Sequence, residues 1–421
     1  MTSDPDDNHA RDPEKHRIDE DTVRAKNWRR WGPYLAERQW GTVREDYSRD
    51  GNCWAYLPHD HARSRAYRWG EDGLFGITDR ECRLCFALAL WNGRDPILKE
   101  RLFGLGNGEG NHGEDVKELY YYLDATPTSS YLKGLYKYPQ REFPYAHLVA
   151  ENQRIGVGAP ELDLQDTGAF DESRYFDVTV EYAKAGVDDV LVRITCANRG
   201  PDAAPLHVLP TLWQRNTWAW GRAGEGQWPP GRIAQLDATT IGAQHATLGH
   251  YRLACDTLGG QPPRLLFTNN ETNAQRLFGA PNATPFVKDA FHGRVIAGDE
   301  RLVNPEGFGT KAAAWYQATV PAGAEIVIRL RLCAETTRVE VAPFDATFDA
   351  VFTARKTEAD RYHAARRDAP LTAAERQIVR QADAGLLWSR QFYHYVVEQW
   401  LDGDPATPAP PAERRNGPNR A

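Results

Sequence analysis

The chain has 421 residues, 41% hydrophobic and 26% charged, enough for two or more domains with sizeable cores. A net charge of −7 excludes the basic surface that nucleic acid requires, and no apolar run is long enough to span a bilayer. Neither a nucleic-acid nor a membrane partner is therefore expected. The 13 tryptophans supply rings that either fill large cores or bind flat ligands.

Residues 1–17 are polar, carry charges of both signs and have no apolar centre. They are expected to form a disordered N-terminus without a secretory signal, which places the protein in the cytoplasm with reduced cysteines. From residue 18 onward Val23, Trp28, Trp31, Tyr34 and Leu35 fall near one face, so a leading helix is expected up to Gly32–Pro33. His59, Asp60 and His61 are expected on a strand. With no further ligand nearby, a hydrogen-bonded structural role is preferred to a metal site. Cys82 and Cys85 form a C-x-x-C without a second pair, inside an apolar element, so structural thiols are expected rather than zinc or redox chemistry. No metal or cofactor is implied.

The segment from Leu102 to Tyr145 is the richest in chemistry. Five glycines between Gly104 and Gly113 interrupt regular structure, and among and after them stand Glu109, His112, Glu114, Asp115 and Glu118, followed by Tyr120, Tyr121 and Tyr122. Carboxylates beside aromatic rings suit sugars, because carboxylates accept hydroxyl protons and flat rings face pyranose C–H groups. The competing reading is solvated carboxylates and core tyrosines. Glu109, His112, Glu114 and Tyr120 are the candidates for a substrate-cleft wall, and Glu109 with Asp115 is the one conceivable catalytic pair.

Strand patterning follows. Tyr175–Tyr182 alternates, a turn at Gly186–Asp189 leads into Val190–Cys196, and the two read as a hairpin. Leu206–Trp213 is a further strand. Ala312–Val320 and Ile326–Cys333, joined by Pro321-Ala322-Gly323, read as another hairpin, with Ile326, Ile328, Leu330 and Leu332 facing one way and Arg329 and Arg331 the other. Many strands with short turns predict antiparallel sheets packed as a sandwich over residues 18–342.

The period then changes. Phe348, Val351, Phe352, Ala359 and Tyr362 keep helical spacing, and Thr372-Ala373-Ala374-Glu375 is a capping box. It opens one long amphipathic helix whose stripe runs Ile378, Leu386, Tyr393, Val397 and Trp400. Residues 404–421 are expected to be a disordered Pro-rich tail.

The motifs PHDHARSRAYRWGEDG, LCFALALWNGRDPILKERLFGL, GEGNHGEDVKELYYYLD, LYKYPQREFPY and LPTLWQRNTWAW resemble bacterial proteins of glycoside hydrolase family 63, usually labelled glucosidases. The resemblance runs almost continuously from Lys26 to Trp220 and more weakly to about Trp400. It implies a mainly β fold, with an N-terminal antiparallel β super-sandwich followed by a catalytic (α/α)6 barrel, an inverting mechanism and α-glucoside or oligosaccharide substrates. In such proteins the acid and base sit on the barrel, beyond the helix ending near Trp400, so no catalytic residue carries over to this sequence. Residues 343–403 then correspond to the first helices of a barrel that is otherwise missing or separately encoded, and the chain alone is expected to be inactive. The alternative is a non-catalytic β-sandwich that binds carbohydrate or docks on a separate barrel.

Overall fold

A computed structural model describes residues 12–35, 48, 56–109, 111–113, 115–337, 342–366 and 371–416. Two antiparallel sheets dominate it. The first has six strands, in the order Trp31–Leu35, Leu74–Asp79, Leu84–Trp91, Ala204–Gln214, Lys311–Val320 and Arg264–Thr268. The second has nine strands and runs from Phe308–Gly309 at one edge, through Glu325–Ala334, Asp189–Asn198 and Tyr175–Gly186, to Tyr120–Ala125 at the other. Their facing sides hold the main core. Phe86, Leu88 and Leu90 of one sheet and Val178, Val180 and Tyr182 of the other point into it, each at the two-residue period of a strand. Each large side chain buried there contributes about 1.5–3 kcal/mol over exposure.

Tyr175–Gly186 and Asp189–Asn198 pair as the expected hairpin, with Val180 opposite Ile194. Ile328, Leu330 and Leu332 are buried, while Arg329 and Arg331 on the other face pair with Asp256 and Asp189. The second expected hairpin is corrected. Lys311–Val320 lies in the six-stranded sheet and Glu325–Ala334 in the nine-stranded one, so Pro321–Ala324 carries the chain across the sandwich. Both strands have a strongly apolar face, and facing each other across the core buries both faces, which side-by-side pairing does not.

The N-terminal expectations are also corrected. A helix at Pro13–Thr22 is capped by Asp12, whose carboxylate accepts from the Lys15 amide at 3.0 Å, and strand Trp31–Leu35 replaces the second half of the expected helix. Residues 12–17 are therefore folded; residues 1–11 lie outside the described residues. The reason is a buried carboxylate. Glu14 is fully buried and accepts from the Thr128 amide (2.8 Å), the Thr128 hydroxyl (2.7 Å), the Ser130 hydroxyl (2.6 Å) and Arg17 (3.0 Å). Arg17 in turn meets Glu358. Charges that read as solvated in the sequence are here an interlock between the first helix, a turn of the sandwich and a later helix.

Helix Ala346–Ala364 packs Phe348, Phe352 and Ala359 on the outer face of the nine-stranded sheet, against Tyr131, Ala183 and Leu191. Helix Ala373–Trp388 opens with the expected capping box, Thr372 and Glu375 bonding reciprocally. It ends at Trp388, whose ring stacks on Tyr122 at 5.3 Å and whose indole N–H donates to the Asp124 carbonyl. The single long helix is thus corrected. Residues 390–396 are extended, with the Phe392 and His394 amides donating to the carbonyls of Tyr34 and Trp69, before a short helix at Val397–Asp402. Breaking the helix lets Tyr393, Tyr395 and Trp400 pack around Trp69. Ile378 and Leu386 stay 65% and 76% exposed, whereas Trp400 is 2% exposed, so the expected stripe is split. Residues 404–416 are described too and end in a 3-10 turn at Ala412–Asn416, which corrects the expected disorder there; residues 417–421 lie outside the described residues.

Candidate functional site

The glycine-rich segment divides into two places. Its loop is closed by pairing of Gly104–Leu105 with Asp115–Val116 and lies against helix Tyr145–Ile155. The Glu109 carboxylate accepts from the Gly106 amide at 2.9 Å, and His112 meets the Val157 carbonyl at 2.8 Å and the Glu161 carboxylate at 2.9 Å. Asp115 is exposed and joins Glu161 and Asp163 around the Lys117 amine. Glu114 lies outside the described residues. Glu118 is buried and accepts from Lys99 and from the Phe103 amide, both at 2.6 Å. The tyrosines belong to the sheet edge instead. Tyr120 is half-buried with its ring edge-on to Tyr122, beneath helix Ala373–Trp388. Carboxylates and rings adjacent in sequence thus serve different layers.

His59 and His61 sit on one helical turn, His59–Ala62, not on a strand. His59 is buried between Tyr145 and Phe103, while His61 is exposed, so the two rings do not converge. Cys82 and Cys85 are buried with their sulfurs 3.6 Å apart, and burial pushes the Cys85 thiol well above its ordinary range. Among the described residues no three His, Cys, Asp or Glu side chains are grouped to hold a metal ion, and no helix is long and apolar enough to cross a membrane.

A different region gathers more chemistry. On the outer face of the six-stranded sheet Ala87, Ala89 and Thr211 are small, and the space they leave holds a layer of buried charge. Carboxylates Glu71, Asp72 and Glu100 face cations Arg101, Lys288 and Lys311. Arg101 meets Asp72 at 2.9 Å, Lys311 meets Glu100 at 2.7 Å, and Asn270 donates to Glu71 at 2.8 Å. Burial pulls the Lys288 amine down to about 8 against the attraction of Glu71, and burial likewise pushes Glu71 up. Lys288 also lies 3.8 Å from the Tyr67 ring centre and donates to the Arg65 carbonyl at 2.7 Å. Removing one member of such a layer strands its partner, which costs about 3–5 kcal/mol. The layer therefore fixes segments 65–72 and 270–288 relative to the sheet.

Those two segments continue outward into a cleft of about 680 Å³. Trp69, Trp220 and Trp400 form its buried frame, and Tyr56 and Phe278 contribute exposed rings, 39% and 59% accessible. Glu271 is its half-buried carboxylate. One oxygen accepts from the Trp218 indole N–H at 2.5 Å and the other from the Asn216 amide at 3.1 Å, and burial raises the carboxyl above its ordinary value. The far wall is the Pro-rich segment. Asp404 is gripped by Arg68 (3.1 Å) and Arg222, Arg68 also donates to the Gln399 side chain at 2.8 Å, and the Ala406 amide donates to the Trp220 carbonyl at 3.1 Å. A cleft with aromatic walls and an oriented carboxyl that no cation among the described residues neutralises can hold a hydroxyl-bearing ligand. Sequence reading passed over it because its residues come from five separated stretches. The available signal was charge beside an aromatic in RWGEDG, around Trp69, and a lone carboxylate amid amides and hydroxyls in TNNETN, around Glu271.

No family model matches the chain. It is similar to an uncharacterized protein of Saccharomyces cerevisiae, 39% identical over 444 aligned residues that take in 97% of this chain and 41% of the yeast protein. The chain thus spans about two-fifths of the length of the curated relative it matches. Solved structures that resemble it include a polysaccharide lyase (TM-score 0.27, 9% identity, 62% of this chain and 27% of that one). Another is the family GH92 alpha-mannosidase of Bacteroides thetaiotaomicron (TM-score 0.20, 15% identity, 49% of this chain and 22% of that one). Similarity at those scores carries no argument about chemistry.

Proposed function

We propose that this chain is the carbohydrate-handling β-sandwich portion of an α-glucosidase-type hydrolase, which binds part of an α-glucoside and supports a catalytic half that carries the acid and base. The observation behind this is the cleft, whose exposed rings and oriented Glu271 carboxyl suit a pyranose. The motif resemblance from Lys26 to Trp220 supports the same class, and the greater length of the yeast relative leaves room for a further half. An inverting glycosidase needs an acid and a base on opposite sides of the scissile bond, with space for water. Glu109 does not fit that role, because its carboxylate is used to close its own loop. The bare Ile378 and Leu386 side chains on helix Ala373–Trp388 favour docking on barrel helices over a free-standing module.

The test is hydrolysis of maltose by the purified chain, alone and mixed with a downstream half of the relative's kind. No turnover is expected alone, and turnover is expected in the mixture. Hydrolysis by the chain alone that is lost in Glu109→Gln or Asp115→Asn would refute the reading.

A further inference from the structure

Three features compete for a use beyond the fold: the charge layer, the C-x-x-C pair and the cleft. The charge layer surrounds a cavity of only about 20 Å³, room for a single water, and its charges answer one another. Both thiols are buried, and burial keeps that of Cys85 neutral, so the pair presents no exposed nucleophile. The cleft is open and carries a group that neither the core nor the charge layer requires.

We propose that Glu271 is the polar anchor of a saccharide subsite in this cleft, taking two neighbouring hydroxyls of a neutral α-glucoside. The proposal rests on the reading that the cleft receives such a ligand. A carboxylate offers about four acceptor positions. Trp218 and Asn216 occupy one on each oxygen, which fixes the plane of the group and leaves one position on each oxygen for a ligand. Two acceptors in one fixed plane match a vicinal diol, the repeating feature of a pyranose.

The surroundings narrow the ligand further. Of the cations that line the cleft, Arg68 is bound to Asp404, Arg414 donates to the Trp400 carbonyl at 2.8 Å and Arg65 lies over the Phe278 ring at 5.4 Å, while the Glu271 carboxylate itself repels an acidic sugar or a phosphate. Phe278 and Tyr56 supply exposed aromatic surface in the same cleft for the ligand's C–H face. The holding groups are themselves fixed. The Asn216 side-chain oxygen accepts from the Ala219 amide at 3.1 Å, and its amide also donates to the Asn270 carbonyl at 2.8 Å. Glu271 is thus set from behind by the turn 216–220 and by Asn270, two residues past the strand Arg264–Thr268, an orientation a solvated surface glutamate has no need of. Trp218 and Asn216 are positioning residues, and Glu271 is the residue that touches the ligand.

The experiment titrates the intact chain with maltose, by calorimetry and by tryptophan emission. Wild type is expected to bind and to change the emission of Trp218, whose N–H shares the Glu271 carboxylate. Glu271→Gln is expected to weaken binding roughly ten-fold or more, and its melting temperature is measured alongside, because its amide nitrogen must face either the Trp218 or the Asn216 donor. Trp218→Phe, which frees the carboxylate without removing it, is expected to give a smaller loss. If Glu271→Gln melts early, Glu271→Asp serves instead, since it keeps the charge but withdraws it by one methylene, and the same loss is expected. Binding by either folded variant within two-fold of wild type overturns the anchor while leaving the cleft reading in place. No heat and no emission change with wild type overturns both.

Discussion

Asp404 is the clamp on the cleft's Pro-rich wall, and Asp404→Asn tests whether that wall is held where the geometry suggests. Its carboxylate lies between the Arg68 and Arg222 guanidiniums, and the Arg68 side chain is 3% exposed. Removing one partner of a fully buried pair costs about 3–5 kcal/mol. Here the loss is smaller, because Arg68 keeps the Gln399 oxygen and its stack on Trp69 at 4.0 Å, and Arg222 keeps the Gly403 carbonyl at 2.7 Å. An asparagine oxygen also retains one neutral hydrogen bond. A local loss of about 2 kcal/mol is expected, which corresponds to roughly a 30-fold rise in segment opening. Native-state hydrogen exchange reads it directly. The Ala406 amide, bonded to the Trp220 carbonyl, should exchange about 30-fold faster, while amides of the central strand Asp189–Asn198 stay unchanged. Unchanged exchange at Ala406 would refute the clamp. Equal acceleration across both regions would show that Asp404 supports the whole fold and not one wall of the cleft.

Two further outcomes follow from groups outside the cleft. Glu14→Gln puts a donor where four donors converge on the carboxylate, so a loss of about 3–5 kcal/mol is expected in urea unfolding; an unchanged midpoint would remove Glu14 as the N-terminal lock. His245 is pulled down to about 4, chiefly by burial and also by Arg83, and its Nδ1 accepts from the Thr247 and Leu248 amides at 3.2 and 3.3 Å. The unfolded chain binds this proton near pH 6.5 and the folded chain only near 4, so His245 costs stability as pH falls through that window, by up to about 3 kcal/mol before any residual solvent contact is discounted. His245→Asn keeps an acceptor without the titration and should flatten that part of the pH–stability curve; an unchanged slope would count against the assignment.

Several features of this protein were legible in the chain itself because they depend on neighbours in sequence. The two-residue alternation of Ile328, Leu330 and Leu332 against Arg329 and Arg331 requires a strand with one buried face, whatever lies opposite. The turn at Gly186–Asp189 brings its flanking strands together, and the Thr372–Glu375 capping box satisfies its own helix start. Local chemistry determines these elements.

Tertiary structure decided the rest, since the competing outcomes are equal locally. Lys311–Val320 and Glu325–Ala334 carry the same pattern whether they pair or face each other, and only the apolar faces of other strands select the sandwich crossing. The run after Trp388 continues a helical pattern, yet packing of Tyr395 and Trp400 around Trp69 outweighs the lost helical hydrogen bonds. Glu14, Glu71 and Glu271 look alike in sequence as acidic residues in polar stretches. Which one locks a helix, which one joins a buried charge layer and which one lines a cleft depends on donors 53 to 199 residues away, as for Trp218 with Glu271 and Asn270 with Glu71. A carboxylate acquires its role from what surrounds it, and those surroundings exist only once the chain has folded.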